Sequence, residues 1–162
     1  NGEKVTMRPI RPEDEPAWTE MIESLSPETA MYRFFGPVQE ITKAMLVRYC
    51  HIDYDREIAI AAFSQPKGKK KPQMLGIARF TVETANPEEA EFAILVRDSY
   101  QRKGLGSKLM EALIQAARDR HVREIYGDVL AANTGMLRFA ESLGFEILPG
   151  SEHDIRRVVL RL

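Results

Sequence analysis

Apolar and polar positions along the chain follow two rhythms, and the switches between them mark out its elements. Residues 5–10 alternate in steps of two, as a half-buried strand does. Arg11-Pro12-Glu13-Asp14-Glu15-Pro16 then opens a helix that carries Trp18, Met21, Ile22 and Leu25 at helical spacing. Its first turn is acidic, where the helix dipole favours negative charge. Ser26-Pro27-Glu28 reads as a fresh N-cap with proline at the first helical position. A second short helix therefore runs toward Phe34 and Phe35 until Gly36-Pro37 stops it. A third is predicted over 42–51, with Met45, Leu46 and Tyr49 on one side.

From Glu57 the rhythm shortens to β-type runs. Residues 58–63, 74–82 and 91–96 read as a meander of three strands. The tract 65–73, with Lys67, Lys69, Lys70, Lys71, Gly68 and two prolines, reads as a hairpin tip. A long amphipathic helix follows over 105–120, then a strand at 124–129 and a helix over about 133–143. Strands at 145–148 and 155–160 end the chain. This order predicts an α/β domain with a mixed, mostly antiparallel sheet. At 162 residues the chain suits a single domain spanning 1–162.

Composition narrows the function classes. With 44% hydrophobic and 29% charged residues, this is an ordinary globular chain. A net charge of −1 provides no global field to attract nucleic acid. The single cysteine, Cys50, excludes an internal disulfide or a cysteine-based zinc site and fits a reducing cytoplasm. No apolar run reaches the ~18 residues of a membrane span, and no signal-peptide pattern is present. A chain that starts at Asn1 instead of Met suggests a domain excised from a longer protein.

The join at 96–107 changes the picture most. Gly104 and Gly106 stand one residue apart, with Arg97, Arg102 and Lys103 around them. A glycine-rich turn opening a helix leaves several backbone N–H groups aimed at one spot, and the helix dipole adds positive potential there. Glycine lets the backbone approach an anion closely, and basic side chains favour phosphate. The join thus predicts a grip for a pyrophosphate-bearing cofactor. A dinucleotide fingerprint fails, because the position three after Gly106 is Leu109; a P-loop fails, because Gly106-Ser107-Lys108 has the wrong order. What remains is Gln101, Gly104 and Gly106 in a Gln-x-x-Gly-x-Gly pattern, which an ordinary strand–turn–helix junction also produces.

Context adds to that pattern. Asn133 opens a later helix, which closes at Leu143-Gly144-Phe145, and the N-terminal third is rich in helix. Together with the loop, this combination resembles the GNAT superfamily of acyl-coenzyme A-dependent N-acetyltransferases over nearly the whole chain. Ser26-Pro27-Glu28, Arg33-Phe34-Phe35 and Ile52-Asp53-Tyr54-Asp55-Arg56-Glu57 are similar to GNAT domains fused to acyl-CoA-synthetase-like modules in bacterial protein lysine acetyltransferases. The resemblance implies central parallel strands that splay apart and helices on both faces. It also implies acetyl-CoA as co-substrate, no metal, and acetyl transfer to a primary amine by direct attack in a ternary complex. A protein lysine, for instance on an acyl-CoA synthetase, is the expected acceptor, and a fused synthetase-like domain an expected partner; nucleic acid and membrane are not. Two alternatives stay open: a small-molecule amine acetyltransferase and a non-catalytic acyl-CoA sensor.

Residue by residue, the resemblance implies that pantetheine pairs with the backbone of Ile94, Leu95 and Val96. The pyrophosphate would rest on the amides of Arg102, Lys103, Gly104, Leu105, Gly106 and Ser107, with Gln101 at the start of the loop. Asn133 would bind the cofactor or hold the edge of the second strand; its bland reading is a plain N-cap. An amine acceptor of pKa ~10.4 lies ~3.4 units above neutrality, so deprotonating it costs about 4.6 kcal/mol. A positioned base lowers that cost, and Glu91, on the strand leading into the loop, is the expected base. Glu89 shares its face by strand parity unless a bulge intervenes, and Glu83 and Glu88 are near in sequence. The family's usual tyrosine for the leaving thiolate is replaced here by Ala140, so water or another group protonates the thiolate or it leaves unprotonated. Tyr100 and Tyr126 are phenols in plausible places that read more simply as core or surface.

Other polar residues carry less. Asp53 and Asp55 read as loop aspartates that could attract a lysine, and the lysine tract reads as a solvated tip. His51, His121 and His153 lack metal-ligand spacing, and Cys50 reads as a buried thiol.

Overall fold

The computed structural model describes residues 4–65, 68 and 70–162. Strand β1 (Val5–Pro9) leads through a 3-10 turn at Pro12–Asp14 into α1 (Glu15–Glu23), followed by α2 (Pro27–Phe34) and α3 (Lys43–Cys50). The meander is β2 (Glu57–Ser64), β3 (Met74–Val82) and β4 (Glu89–Val96). Then come α4 (Leu105–Asp119), β5 (Glu124–Leu130), α5 (Thr134–Ser142), β6 (Glu146–Pro149) and β7 (Ile155–Arg161). In the predicted hairpin tip, Pro66, Lys67 and Lys69 lie outside the described residues.

Local chemistry accounts for most helix starts. Ser26, Thr42 and Asn133 accept the amides of Thr29, Met45 and Met136 at 3.1, 3.2 and 3.2 Å, which satisfies donors that each first turn leaves over. Asp14 accepts the Arg11 amide at 2.8 Å and is clamped by the Arg8 guanidinium at 2.7 and 2.8 Å. Two ends differ from the sequence expectation. Helix α1 stops at Glu23, so Leu25 lies beyond it. Helix α2 is ended by Phe35 itself, in the left-handed conformation at φ 59°, one residue before Gly36. A bulky residue there costs about 1–2 kcal/mol.

The sheet order is β1-β2-β3-β4-β5-β7-β6. Every neighbouring pair is antiparallel except β4 with β5. That parallel contact is short: Glu89↔Glu124, Ala90↔Ile125 and Glu91↔Tyr126. Both strands continue beyond it, so they splay. Between β3 and β4 the register is unbroken from Gly76↔Val96 to Val82↔Ala90. No bulge alters β4 parity, and Glu89, Glu91, Ala93 and Leu95 share a face.

Helices cover both faces of the sheet. On one, Leu109, Met110, Leu113 and Ala117 of α4 pack with Phe80, Phe92, Ile125, Phe145 and Val158, joined by Ala140 of α5. On the other, Trp18, Met21 and Ile22 of α1 and Cys50 of α3 pack on Ala59, Ala61, Met74, Ile77 and Leu95. Full burial of each large side chain contributes about 1.5–3 kcal/mol. These two layers cover the sheet on both sides, and β4 and β5 part between them.

Candidate active site

Between the diverging strands lies a cleft of about 640 Å³. Its walls are Phe92 to Val96 on β4 and Gly127, Asp128 and Val129 on β5. The Arg97 amide donates to the Leu75 carbonyl at 2.8 Å, which fixes the direction of every backbone group along β4. Alternation then turns the groups of Leu95 toward β3 and those of Phe92, Ile94 and Val96 toward the gap. Beyond Glu91 these gap-facing groups have no strand opposite them, an edge ready to pair with an extended amide-bearing chain. Of the three strand residues expected to meet pantetheine, Ile94 and Val96 have the right orientation; Leu95 spends its backbone on β3 and its side chain in the core.

At the cleft's far end the chain turns into α4. Arg102 (φ 61°) and Gly104 (φ 87°) both take left-handed backbone, bending residues 101–104 into a concave turn. Gly104 is the N-cap and supplies no side-chain cap. Its carbonyl accepts the Lys108 amide at 3.2 Å, while among the described residues the amides of 102–107 donate to nothing. Such a nest of N–H groups at a helix N-terminus is an anion cradle. Gly106 opens the first turn beside α5, where a Cβ would stand 3.4 Å from the Phe139 ring, an ordinary contact. Gln101, Arg102, Gly104, Gly106 and Ser107 line the cleft; the side chains of Lys103 and Leu105 do not.

The side chains of this loop are less directed at the cleft than its sequence suggests. Arg97 is buried and turned away, with its guanidinium on Glu20 at 3.0 Å and on the Met74 carbonyl at 2.8 Å. It buttresses the fold and takes no part in the cradle. Gln101 donates to the Val96 carbonyl at 2.9 Å, tying the loop to the end of β4. Asp98 accepts the Ser26 amide at 2.8 Å and the Thr29 hydroxyl, so the loop is also pinned to the start of α2. Asn133 lines the cleft while its carboxamide oxygen caps α5.

Glu91 stands at the other end, on the last β4 residue still paired with β5. It lines a second pocket of about 360 Å³, which shares Arg33, Phe92, Ala93 and Asp128 with the cleft. Glu91 opens to solvent, yet the protein around its carboxyl raises its pKa, and the charges of Asp128 and Glu83 raise it further. Arg157 and Arg33 pull the other way. A carboxylate so tuned is a better proton acceptor than an ordinary glutamate. Tyr126 donates its hydroxyl to Glu83, and burial holds its pKa up, so its proton is already engaged. Ala140 is buried in the core.

Several residues at the site escaped the sequence reading. At Gly127 a Cβ would stand 2.8 Å from the Phe92 ring and 3.1 Å from its carbonyl oxygen. Only glycine lets β5 pass Phe92 where the strands separate, and an isolated strand glycine is the available signal. Asp128, paired with Arg157 at 3.1 Å, and Arg33 touch both pockets. Arg79, alone in an apolar strand, was legible as an anomaly. Asp53 meanwhile organises its own turn, accepting the Asp55 amide at 3.1 Å. Cys50 is fully buried, and burial pushes its thiol up to about 12. Among the described residues, no group of three or more His, Cys, Asp or Glu could hold a metal ion, and no helix is long and apolar enough to cross a membrane.

The sequence profile of the acetyltransferase (GNAT) domain matches residues 4–146. An acetyltransferase of Pseudomonas aeruginosa is 34% identical over 145 residues, covering 90% of this chain and 76% of the relative. Acetyltransferase Pat of Mycolicibacterium smegmatis is 34% identical over 143 residues, which are 88% of this chain but 41% of Pat. The crystal structure of the GNAT domain of S. lividans PAT superposes with a TM-score of 0.87 at 27% identity, covering 98% of this chain and 90% of that one.

Proposed function

The chain belongs to the GNAT acetyltransferase family, and from that premise we propose that it passes the acetyl group of acetyl-CoA to a lysine side chain of a protein by direct attack in a ternary complex. Acetyl-CoA is the co-substrate of this family. The amides of 102–107 take its pyrophosphate, and the gap-facing groups of Ile94 and the amide of Val96, whose carbonyl is held by Gln101, pair with its pantetheine arm. The thioester then lies where β4 and β5 part. Gap-facing amides at Phe92 and Ile94 are the donors for negative charge that grows on the thioester oxygen.

The acceptor enters from the second pocket. Glu91 takes the ammonium proton, the neutral amine attacks the carbonyl carbon, and the C–S bond breaks with CoA leaving as the thiolate. The proton that the nitrogen sheds on becoming an amide passes to that thiolate or to water. One observation carries this reading: a carboxylate of raised pKa lies at the last paired position of the splayed strands, in a pocket that shares its inner wall with the cleft. A cytoplasmic setting follows, where protein lysines and acetyl-CoA meet.

The test is an initial-velocity study with acetyl-CoA and candidate acceptor proteins, acyl-CoA synthetases among them, reading thiol release and the modified residue. Intersecting double-reciprocal lines and acetyl-lysine are expected. Parallel lines would indicate an acetylated enzyme and contradict direct attack. Tight acetyl-CoA binding without acceptor-dependent thiol release would make the domain a sensor.

A further inference from the structure

Beside Glu91 the pocket holds a buried cation that has no ion pair among the described residues, although the charge of Glu57 acts on it from β2. Arg79 lies in mid-β3 and is 5% exposed. Its Nη2 donates to the Tyr49 carbonyl at 3.0 Å, whereas Nε and Nη1 are buried with no hydrogen-bond partner. Its guanidinium lies 5.0 Å from the centroid of the Tyr49 ring, which in turn stacks on Trp18 at 5.2 Å. Among the described residues no carboxylate comes within ion-pair distance of it. Buried cations are strongly disfavoured unless paired, and buried donors are nearly always satisfied. Burial, reinforced by repulsion from Arg33, lowers the Arg79 pKa to about 10, so it stays charged near neutrality.

The neighbours deepen the imbalance. Arg33 faces the rings of Phe34 and Tyr49 at 4.9 and 5.8 Å and has no carboxylate partner among the described residues. Arg48 also faces Tyr49 but pairs with Glu57 at 3.1 Å, and Asp128 on the opposite wall pairs with Arg157. Only the more distant charges of Glu57 and Glu91 act on Arg79 and Arg33, in that order. Two guanidiniums without an ion pair therefore share the pocket with Glu91, the one lining carboxylate that is not ion-paired either. That sign is wrong for receiving a bare ammonium. It is right for an acceptor that brings a negative group along with its amine.

Spacing agrees. Arg79 pairs across the sheet with Ala93, two positions past Glu91 on the same face, a step of roughly 7 Å. A lysine amine at Glu91 and a carboxylate at Arg79 would thus be two residues along and one strand across, roughly 8 Å between backbone positions. At the rim, Phe35 is exposed and held in left-handed backbone, a strain of the kind kept at ligand clamps.

We infer that this pocket binds a carboxylate carried by the acceptor, received by the guanidinium of the partly exposed Arg33 and drawn by the buried charge of Arg79. Its source is an acidic side chain flanking the acceptor lysine or the α-carboxylate of a free amino acid. The inference rests on the acceptor reading above and specifies its substrate class.

Calorimetric titration of the CoA-loaded protein tests it with matched pairs. One pair is capped Lys-Glu against Lys-Gln peptides, with the acid placed before or after the lysine; the other is free lysine against lysine amide. The carboxylate member is expected to bind at least about tenfold more tightly, and the difference is expected to collapse in Arg79→Gln. Should that chain fail to fold, Arg33→Gln is expected to shrink the same difference by at least about threefold. Selectivity in the peptide pair assigns the carboxylate to an acidic side chain. Selectivity in the lysine pair alone assigns it to the α-carboxylate, which keeps the carboxylate site and replaces the protein acceptor by a free amino acid. Equal affinities within both pairs, or no binding by any probe, overturn the inference. Selective binding without acetylation keeps the carboxylate site and overturns the acceptor reading. Acetylation without selectivity does the reverse.

Discussion

The cleft at 101–107 and the pocket at Glu91 share a wall, yet they are built from different materials. The cleft is a backbone site: its donors are main-chain amides, aimed by left-handed turns at Arg102 and Gly104 and by the splay of β4 from β5. The pocket is a side-chain site, in which α2, α3, β3, β4 and β5 each contribute charged groups. Backbone sites suit a ligand that never changes, because they read shape and phosphate charge. Side-chain sites can tune a pKa and choose a partner. Substitutions should therefore separate binding of the cofactor from activation of the amine.

The sharpest separation is expected at Glu91. Glu91→Gln should lower kcat by at least about 100-fold, the scale of a lost general base, while acetyl-CoA affinity stays within about twofold by calorimetry. A parallel loss of affinity would merge the two sites. The converse comes from Gly104→Val, which forces a branched side chain to φ 87° at a cost of about 1–3 kcal/mol. Acetyl-CoA should bind roughly tenfold more weakly, with the pH profile unmoved. Unchanged binding would show that the cradle lies elsewhere.

Gly127→Ala attacks the shared wall. Its Cβ would overlap the Phe92 ring, so overpacking should cost about 1–3 kcal/mol by chemical denaturation and weaken both sites together. If only one site responds, Gly127 belongs to that site alone. Asp98→Asn is the mildest. Burial alone would raise the Asp98 pKa, but hydrogen bonds from Thr29 and Ser26 outweigh it and hold the carboxyl below its ordinary range. Its stabilisation is thus present above the unfolded value and lost as pH falls through the folded one. Wild type should exceed Asp98→Asn by up to about 1 kcal/mol near neutrality, with melting curves converging in acid.

The same contrast explains what could be read in the sequence. Gly104 advertises the cradle because its left-handed backbone restricts which residues fit there. The strands and helices were legible from periodicity, and the splay from family resemblance. Side-chain placement was not. Arg97 sits near the glycines in sequence, but its pairing with Glu20 on α1 turns it into the core. Gln101 points at the Val96 carbonyl. Arg33, Arg79 and Asp128 lie far apart in the chain and meet only through the sheet order, which no local pattern encodes. Phe35 ends α2 where Gly36 looked the natural choice, because no local pattern favours a bulky residue in left-handed backbone.

The central claim is that Glu91 activates the amine while the backbone cleft independently holds acetyl-CoA. Its most direct test is the single-turnover transfer rate from bound acetyl-CoA, followed against pH in wild type and Glu91→Gln. Wild type should gain activity as a single group deprotonates above the usual glutamate range, the direction in which burial, Asp128 and Glu83 push Glu91. The variant should be slower throughout and lack that limb. An identical limb in both proteins would contradict the account.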